Sequence, residues 1–156
     1  MRVIYPAALA AFMLKMAAGS VGAADDACAL LTPEQVSAAL GISVSAGTHI
    51  SGPASCQWMG KGKWATLTIT QPLNGKSALD RYNSGKASSL PGITKEPVTD
   101  VGDDAFYVYF SGTTRAGLGL VVKKGNASFE VRVYGLDVDK AKPVAKTLAT
   151  DAAGKI

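Results

Sequence analysis

Residues 64–71 read WATLTITQ, and the alternation within them decides the fold. Ala65, Leu67 and Ile69 fall at every second position, with Trp64, Thr66, Thr68 and Thr70 between them. Successive strand side chains point to opposite faces, so this segment has one apolar and one polar side. Such a strand belongs to an antiparallel sheet covered on a single face.

Working outward, GKGK at 60–63 offers a turn back to CQWMG at 56–60, where Cys56 and Trp58 share a face. Downstream, KSALDRYNSGK at 76–86 reads as a weaker helix with Leu79 and Tyr82 inward. A connection punctuated by proline and glycine, SSLPGITKEPVTDVG at 88–102, leaves room for a short edge strand. Three further strands follow: DAFYVYF, LGLVVKK and SFEVRVYG, the last two joined by the hairpin signal GNA. The alternation predicts Phe106, Val108 and Phe110 inward on the first, and Phe129, Val131 and Val133 inward on the last. The chain closes with a helix over about 139–153 that buries Val144 and Leu148, with Pro143 in its opening turn or kinking it.

Upstream, LTPEQVSAALG at 31–41 is a strongly marked helix. Thr32 can cap, Pro33 suits the first helical position, and Gln35 completes a Thr-x-x-Gln box. Leu31 and Val36 have hydrophobic-staple spacing, and Gly41 can end the helix in a left-handed conformation. The expected order is α-β-β-β-α-β-β-β-α. This is an α+β domain with a single antiparallel sheet of about six strands, three helices on one side of it, and one disulfide.

The first 23 residues read as an export signal: Arg2, an apolar run over residues 3–14, and a small-residue segment ending Val21-Gly22-Ala23. The run is too short to span a bilayer, which needs about 20 apolar residues. Residues 24–156 are then a single exported domain, periplasmic or secreted, without a transmembrane segment. Losing Arg2 and Lys15 with the signal lowers the net charge from +4 to +2, with 14 basic against 12 acidic residues. The remaining lysines are scattered, which disfavours a nucleic-acid partner.

Cys28 could be a lipid anchor, a free thiol, a metal ligand or half a disulfide. Asp25 and Asp26 before it spoil a lipidation signal. Cys28, Cys56 and His49 make at most three metal ligands, with no short-spaced pair. Two cysteines in an oxidising compartment most economically pair, so a Cys28–Cys56 disulfide is expected, and no metal or other cofactor. With Cys56 bridged inward, Trp58 packs beside the bridge.

The series CALLTPEQVSAALG, CQW, VTDVGDDAF and a closing strand pair resembles uncharacterised bacterial secreted and lipoprotein domains common in actinobacterial cell envelopes. It is distantly similar to extracellular sensor domains of mycobacterial serine/threonine kinases. The resemblance covers Cys28 to about Leu148 and implies envelope localisation with ligand or partner sensing. This sequence departs from it in lacking the lipid-anchor cysteine and any kinase or membrane segment.

No catalytic constellation is visible. His49 is the sole histidine, and neither a serine nor a cysteine nucleophile is assigned to it by spacing. Asp103 and Asp104 at a strand entrance suit a turn and cap better than a calcium loop. The outward sheet face is expected to gather Trp64, Thr66, Thr68, Thr70, Tyr107, Tyr109, Glu130, Arg132 and Tyr134. Two accounts of that face stand: a binding surface for a glycan fragment or partner protein, and a solvated surface that suits threonine and tyrosine.

The chain is therefore expected to be a monomeric, non-catalytic binding or sensor-like domain. Its ligand-binding set is Trp64, Thr66, Thr68, Tyr107, Tyr109, Arg132 and Tyr134, and its partner an envelope protein or small ligand. The rivals are a small inhibitor of a secreted enzyme, presenting the loop from Gly47 to Pro53, and an envelope hydrolase or isomerase using His49 or the aspartate pair.

Overall fold

The computed structural model describes residues 25–111 and 117–156; the export signal read at 1–23 lies outside them. At the start of the described chain the Asp26 carboxylate accepts a hydrogen bond from the Cys28 N–H at 2.9 Å, capping a one-turn helix, α1 (Ala27–Leu30). In α2 (Pro33–Leu40) the capping box is closed in both directions. The Gln35 N–H donates to Thr32 Oγ1 at 3.2 Å and the Thr32 N–H to Gln35 Oε1 at 3.0 Å. Gly41 ends it at φ 66°, and Val36 and Leu40 are buried, as their spacing predicts.

The strands are β1 (Thr48–His49), β2 (Ser55–Met59), β3 (Trp64–Ile69), β4 (Ile93–Val98), β5 (Asp104–Phe110), β6 (Leu118–Lys124) and β7 (Ala127–Tyr134). They form one seven-stranded sheet in the order β1-β2-β3-β7-β6-β5-β4, every neighbouring pair antiparallel. Two more helices, α3 (Ala78–Ala87) and α4 (Val138–Ala153), complete the α+β fold. Beyond the expected order there are α1 and the edge strand β4, which occupies the proline-punctuated connection. Among the described residues, no helix is long and apolar enough to cross a membrane.

The helices do not all lie on one side. Antiparallel pairing through β7, β6 and β5 leaves β3 and β4 running in the same direction, one near the middle of the sheet and one at its far edge. A connection between two such strands must cross the sheet. Here it does so as α3, whose Tyr82 ring sits 5.6 Å from that of Phe106 on the face opposite α4. The N-terminus of α3 is fixed by a second capping box, Ser77 with Asp80.

On the other face, α4 buries Ala141, Ala145, Leu148, Ala149 and Ala152. Its small side chains let the helix lie close on Leu118, Leu120 and Val122 of β6 and Phe129, Val131 and Val133 of β7, all part of one core. Val144, expected inward, is only half-buried, because it stands over α2 rather than over the sheet.

Cys28 and Cys56 form the expected disulfide, tying α1 to β2 with Cα atoms 5.1 Å apart. Trp58, fully buried, packs beside it. A Cβ on Gly47 would stand 2.8 Å from both Cys56 Sγ and Trp58 Nε1, so only glycine lets the backbone seal the bridge and the indole here.

Candidate ligand-binding cleft

The pairing of β3 with β7 fixes which predicted side chains share a face. Trp64 stands opposite Tyr134, Thr66 opposite Arg132, and Thr68 opposite Glu130. These alternate with the core residues Ala65, Leu67 and Ile69, so all six lie on the face away from α4. The Trp64 and Tyr134 rings stack, with centroids 4.8 Å apart and planes 10° from parallel.

Tyr107 and Tyr109 are not on that face. They pair with Leu120 and Leu118 on the α4 side, whereas Phe106, Val108 and Phe110 point to the open side. The expected phase of β5 is thus reversed, and the cause is burial on both faces. Phe106 is covered by α3 and Tyr107 by α4, so apolar alternation carried no sign.

The two tyrosines instead build an anchor for α4. The Tyr107 hydroxyl donates to the Lys142 carbonyl at 3.0 Å, and that of Tyr109 donates to Glu96. Lys142 Nζ donates to the other Glu96 oxygen at 2.7 Å and stands 5.4 Å from the Tyr109 ring centroid. The Lys142 ammonium, then the Tyr109 hydroxyl, hold the Glu96 carboxyl below its ordinary range. The same ion pair raises Lys142. Burial chiefly raises Tyr107, and the bond to Glu96 chiefly raises Tyr109.

On the open face, α3 covers only part of the sheet. Beside it runs a cleft of about 470 Å³, lined by Ser55, Thr68, Thr70, Arg81 and Glu130 among others. Thr70 and Arg81 also line an adjoining hollow of about 180 Å³ that reaches Tyr82 and the buried Ser128. The hydroxyls are positioned in pairs: Ser55 Oγ lies 3.0 Å from Thr68 Oγ1, and the Thr70 hydroxyl donates to Ser128 Oγ at 3.3 Å. Arg81 Nη1 donates to the Gln71 carbonyl at 2.5 Å, which holds its guanidinium at the cleft wall. Glu130 accepts from Arg132 Nη2, and the pair lies across Gly119 of β6. A Cβ at Gly119 would land on Glu130 Oε1 and stand 3.0 Å from Arg132 Nη2.

Arg81, Ser55 and Gly119 were not singled out in the sequence. Gly119, a glycine inside LGLVVKK, carries the one available signal, since such a residue marks a close approach. Burial chiefly raises the pKa of Tyr82, and the neighbouring Asp104 carboxylate adds to this.

The residues considered for catalysis have structural partners. Asp103 accepts from the Gly125 N–H at 2.6 Å, bracing the β6–β7 turn, and Asp104 accepts from Lys86 of α3 at 2.5 Å. Lys86 is the main cause holding Asp104 below its ordinary range. His49 stands in β1 opposite Cys56, with Nε2 2.8 Å from Asp26 Oδ1. A groove of about 460 Å³ between α2 and α4 has a more apolar wall, with Ala38, Ala39, Pro143 and Val144. No protein-family model, curated protein or solved structure matches this chain.

Proposed function

We propose that the chain is an exported, non-catalytic binding domain of the bacterial envelope, periplasmic or secreted, whose ligand seats in the cleft beside α3. One observation carries this reading. The cleft unites paired hydroxyls from Ser55 and Thr68 with one cationic and one anionic side chain, Arg81 and Glu130, on a sheet face that α3 leaves partly open. Its volume lies in the range of about 300–1,000 Å³ usual for small-molecule sites, and few convergent polar groups suffice to orient a ligand. A small polar ligand with hydroxyl or charged groups, such as a glycan fragment, fits that lining. Trp64 and Tyr134, stacked on the same face, supply apolar area beyond it.

The disulfide supports an oxidising compartment, where such bridges persist. Envelope sensing, implied by the resemblance of the Cys28–Leu148 region, agrees with this reading, and the domain acts on it as a monomer.

Native mass spectrometry of the protein taken from its own envelope fraction tests the proposal, with denaturing mass on the same sample. A native mass exceeding the denatured one is expected, and Arg81→Ala with Thr68→Ala is expected to abolish the excess while the fold persists. Retention of the same ligand by that double variant would exclude the cleft.

The inhibitor reading draws on one observation of its own. Ile50 is 52 % exposed in a loop braced near the disulfide, where the Ala27 N–H donates to the Pro53 carbonyl at 2.8 Å. Association with a secreted hydrolase that Ile50→Asp abolishes would favour it over the cleft.

A further inference from the structure

The disulfide has two polar neighbours. Asp26, Cys28 and His49 each bring a ligand atom, an oxygen, a sulfur and a ring nitrogen, within 4.8 Å of one another. Cys56 is outside that group of three but adjoins it, bonded to Cys28 and paired across the β1–β2 ladder with His49. Three different elements supply them: the cap of α1, α1 itself, and the β1–β2 edge. Cys56 closes the inner side, fully buried, while the His49 and Asp26 side chains are half-exposed and leave an entry path from solvent.

In the oxidised chain the sulfurs are bonded to each other and offer no thiolate. We propose that reduction of Cys28–Cys56 converts this corner into a site for zinc or a similar thiophilic divalent cation, with Cys28, Cys56, His49 and Asp26 as ligands. The two-electron step needs a reductant, and a dithiol supplies both electrons. Thiol–disulfide exchange cleaves the Cys28–Cys56 bond and leaves the reductant as its own disulfide, with its two protons on the freed thiols. Binding of the cation then displaces those two protons to solvent, because the thiolate is the metal ligand. Two sulfurs, one imidazole and one carboxylate make a tetrahedral donor set. Bonds of about 2.0–2.3 Å put such ligand atoms roughly 3.3–3.8 Å apart, within reach of groups already inside 4.8 Å. The separation of the two cysteine Cα atoms, 5.1 Å, allows both sulfurs to face one ion. Asp26 supplies what the spacing of cysteines and histidine lacked, a fourth donor.

Cobalt(II) is the probe, added to the mature chain under anaerobic conditions with and without prior reduction by a phosphine. The reduced protein is expected to bind one equivalent, with cobalt–thiolate charge-transfer absorption and the intense visible bands of tetrahedral coordination. The oxidised protein is expected to show neither. His49→Ala and Asp26→Ala, each reduced, should bind at least tenfold more weakly, which separates a four-ligand site from simple chelation by two thiols. Equal affinity in the reduced wild type and both variants, or equal binding by the oxidised chain, would overturn the proposal. Near-ultraviolet circular dichroism of Trp58 is followed in the same samples. If reduction alone unfolds the chain, zinc must restore that signal in the wild type and fail to do so at equal concentration in His49→Ala. A reduced chain that zinc does not refold would also overturn it.

Discussion

Gly47 and Gly119 are both places where a side chain is missing because something else occupies its space. At Gly47 the occupants are Cys56 Sγ and Trp58 Nε1, neither of which can move within a sealed core. Gly47→Ala is therefore expected to destabilise by about 1–3 kcal/mol, the usual cost of overpacking, read as a lower urea midpoint with unchanged slope. At Gly119 the occupants are the ends of Glu130 and Arg132, which can swing aside, and Val108 Cγ1 at 2.9 Å, which must shift. Gly119→Ala is expected to destabilise by about 1 kcal/mol, the low end of overpacking, while displacing the pair, so that ligand retention in native mass spectrometry falls by a larger fraction than stability does. Gly119 inside its strand signals a close approach, but a glycine in a sequence does not disclose what comes to fill its place. The residues that were legible act on close neighbours in the chain: Thr32 and Gln35 cap one another, and Gly41 turns left-handed one residue past the helix.

Among the elements, β3 and β7 were readable because each has one buried and one open face. Ala65, Leu67 and Ile69 against Thr66 and Thr68 leave no doubt about direction. β5 was not, since α3 and α4 cover it from both sides and its phase depends on which tyrosine hydroxyl finds a partner. Tyr107 and Tyr109 found theirs in the Lys142 carbonyl and in Glu96. That cluster joins β4, β5 and α4 and makes the attachment of α4 dependent on pH. Glu96 is held below its unfolded-state pKa, so its contribution is present above that value and is lost as pH falls through the folded one. Lys142 is raised, so its contribution is present below the unfolded value and is lost as pH rises through the folded one. Glu96→Gln is expected to flatten the acid limb of a stability–pH curve below about pH 4.5, measured by urea unfolding. An acid limb as steep as the wild type's would mean that other carboxylates carry it.

For the molecule as a whole, the disulfide closes a loop over a sequence separation of 28. In the chain-entropy model that constraint is worth about 3–4 kcal/mol, a large share of the 5–15 kcal/mol typical of a domain. Cys56→Ser is expected to lower the melting temperature by roughly 10 °C, measured by calorimetry, while ligand retention per folded molecule is preserved because the cleft lies on the opposite face of the sheet. An unchanged melting temperature would remove the bridge from the account of stability.

The sheet order holds a last consequence. β1 to β3 form one up-and-down ribbon and β4 to β7 another, and among the described residues the two pair only where β3 lies beside β7. Each ribbon is local in sequence, whereas this single seam joins distant partners, from Ile69 with Phe129 to Trp64 with Tyr134. Pairings between distant segments form late, so the seam is expected to zip up last on refolding, after both ribbons exist. It follows that the chain is divisible. Cut at the exposed Pro91–Gly92 turn, the two pieces are expected to find each other again, with α3 reaching across as a clasp. Recovery of the native spectrum on mixing them would show one molecule assembled from two halves.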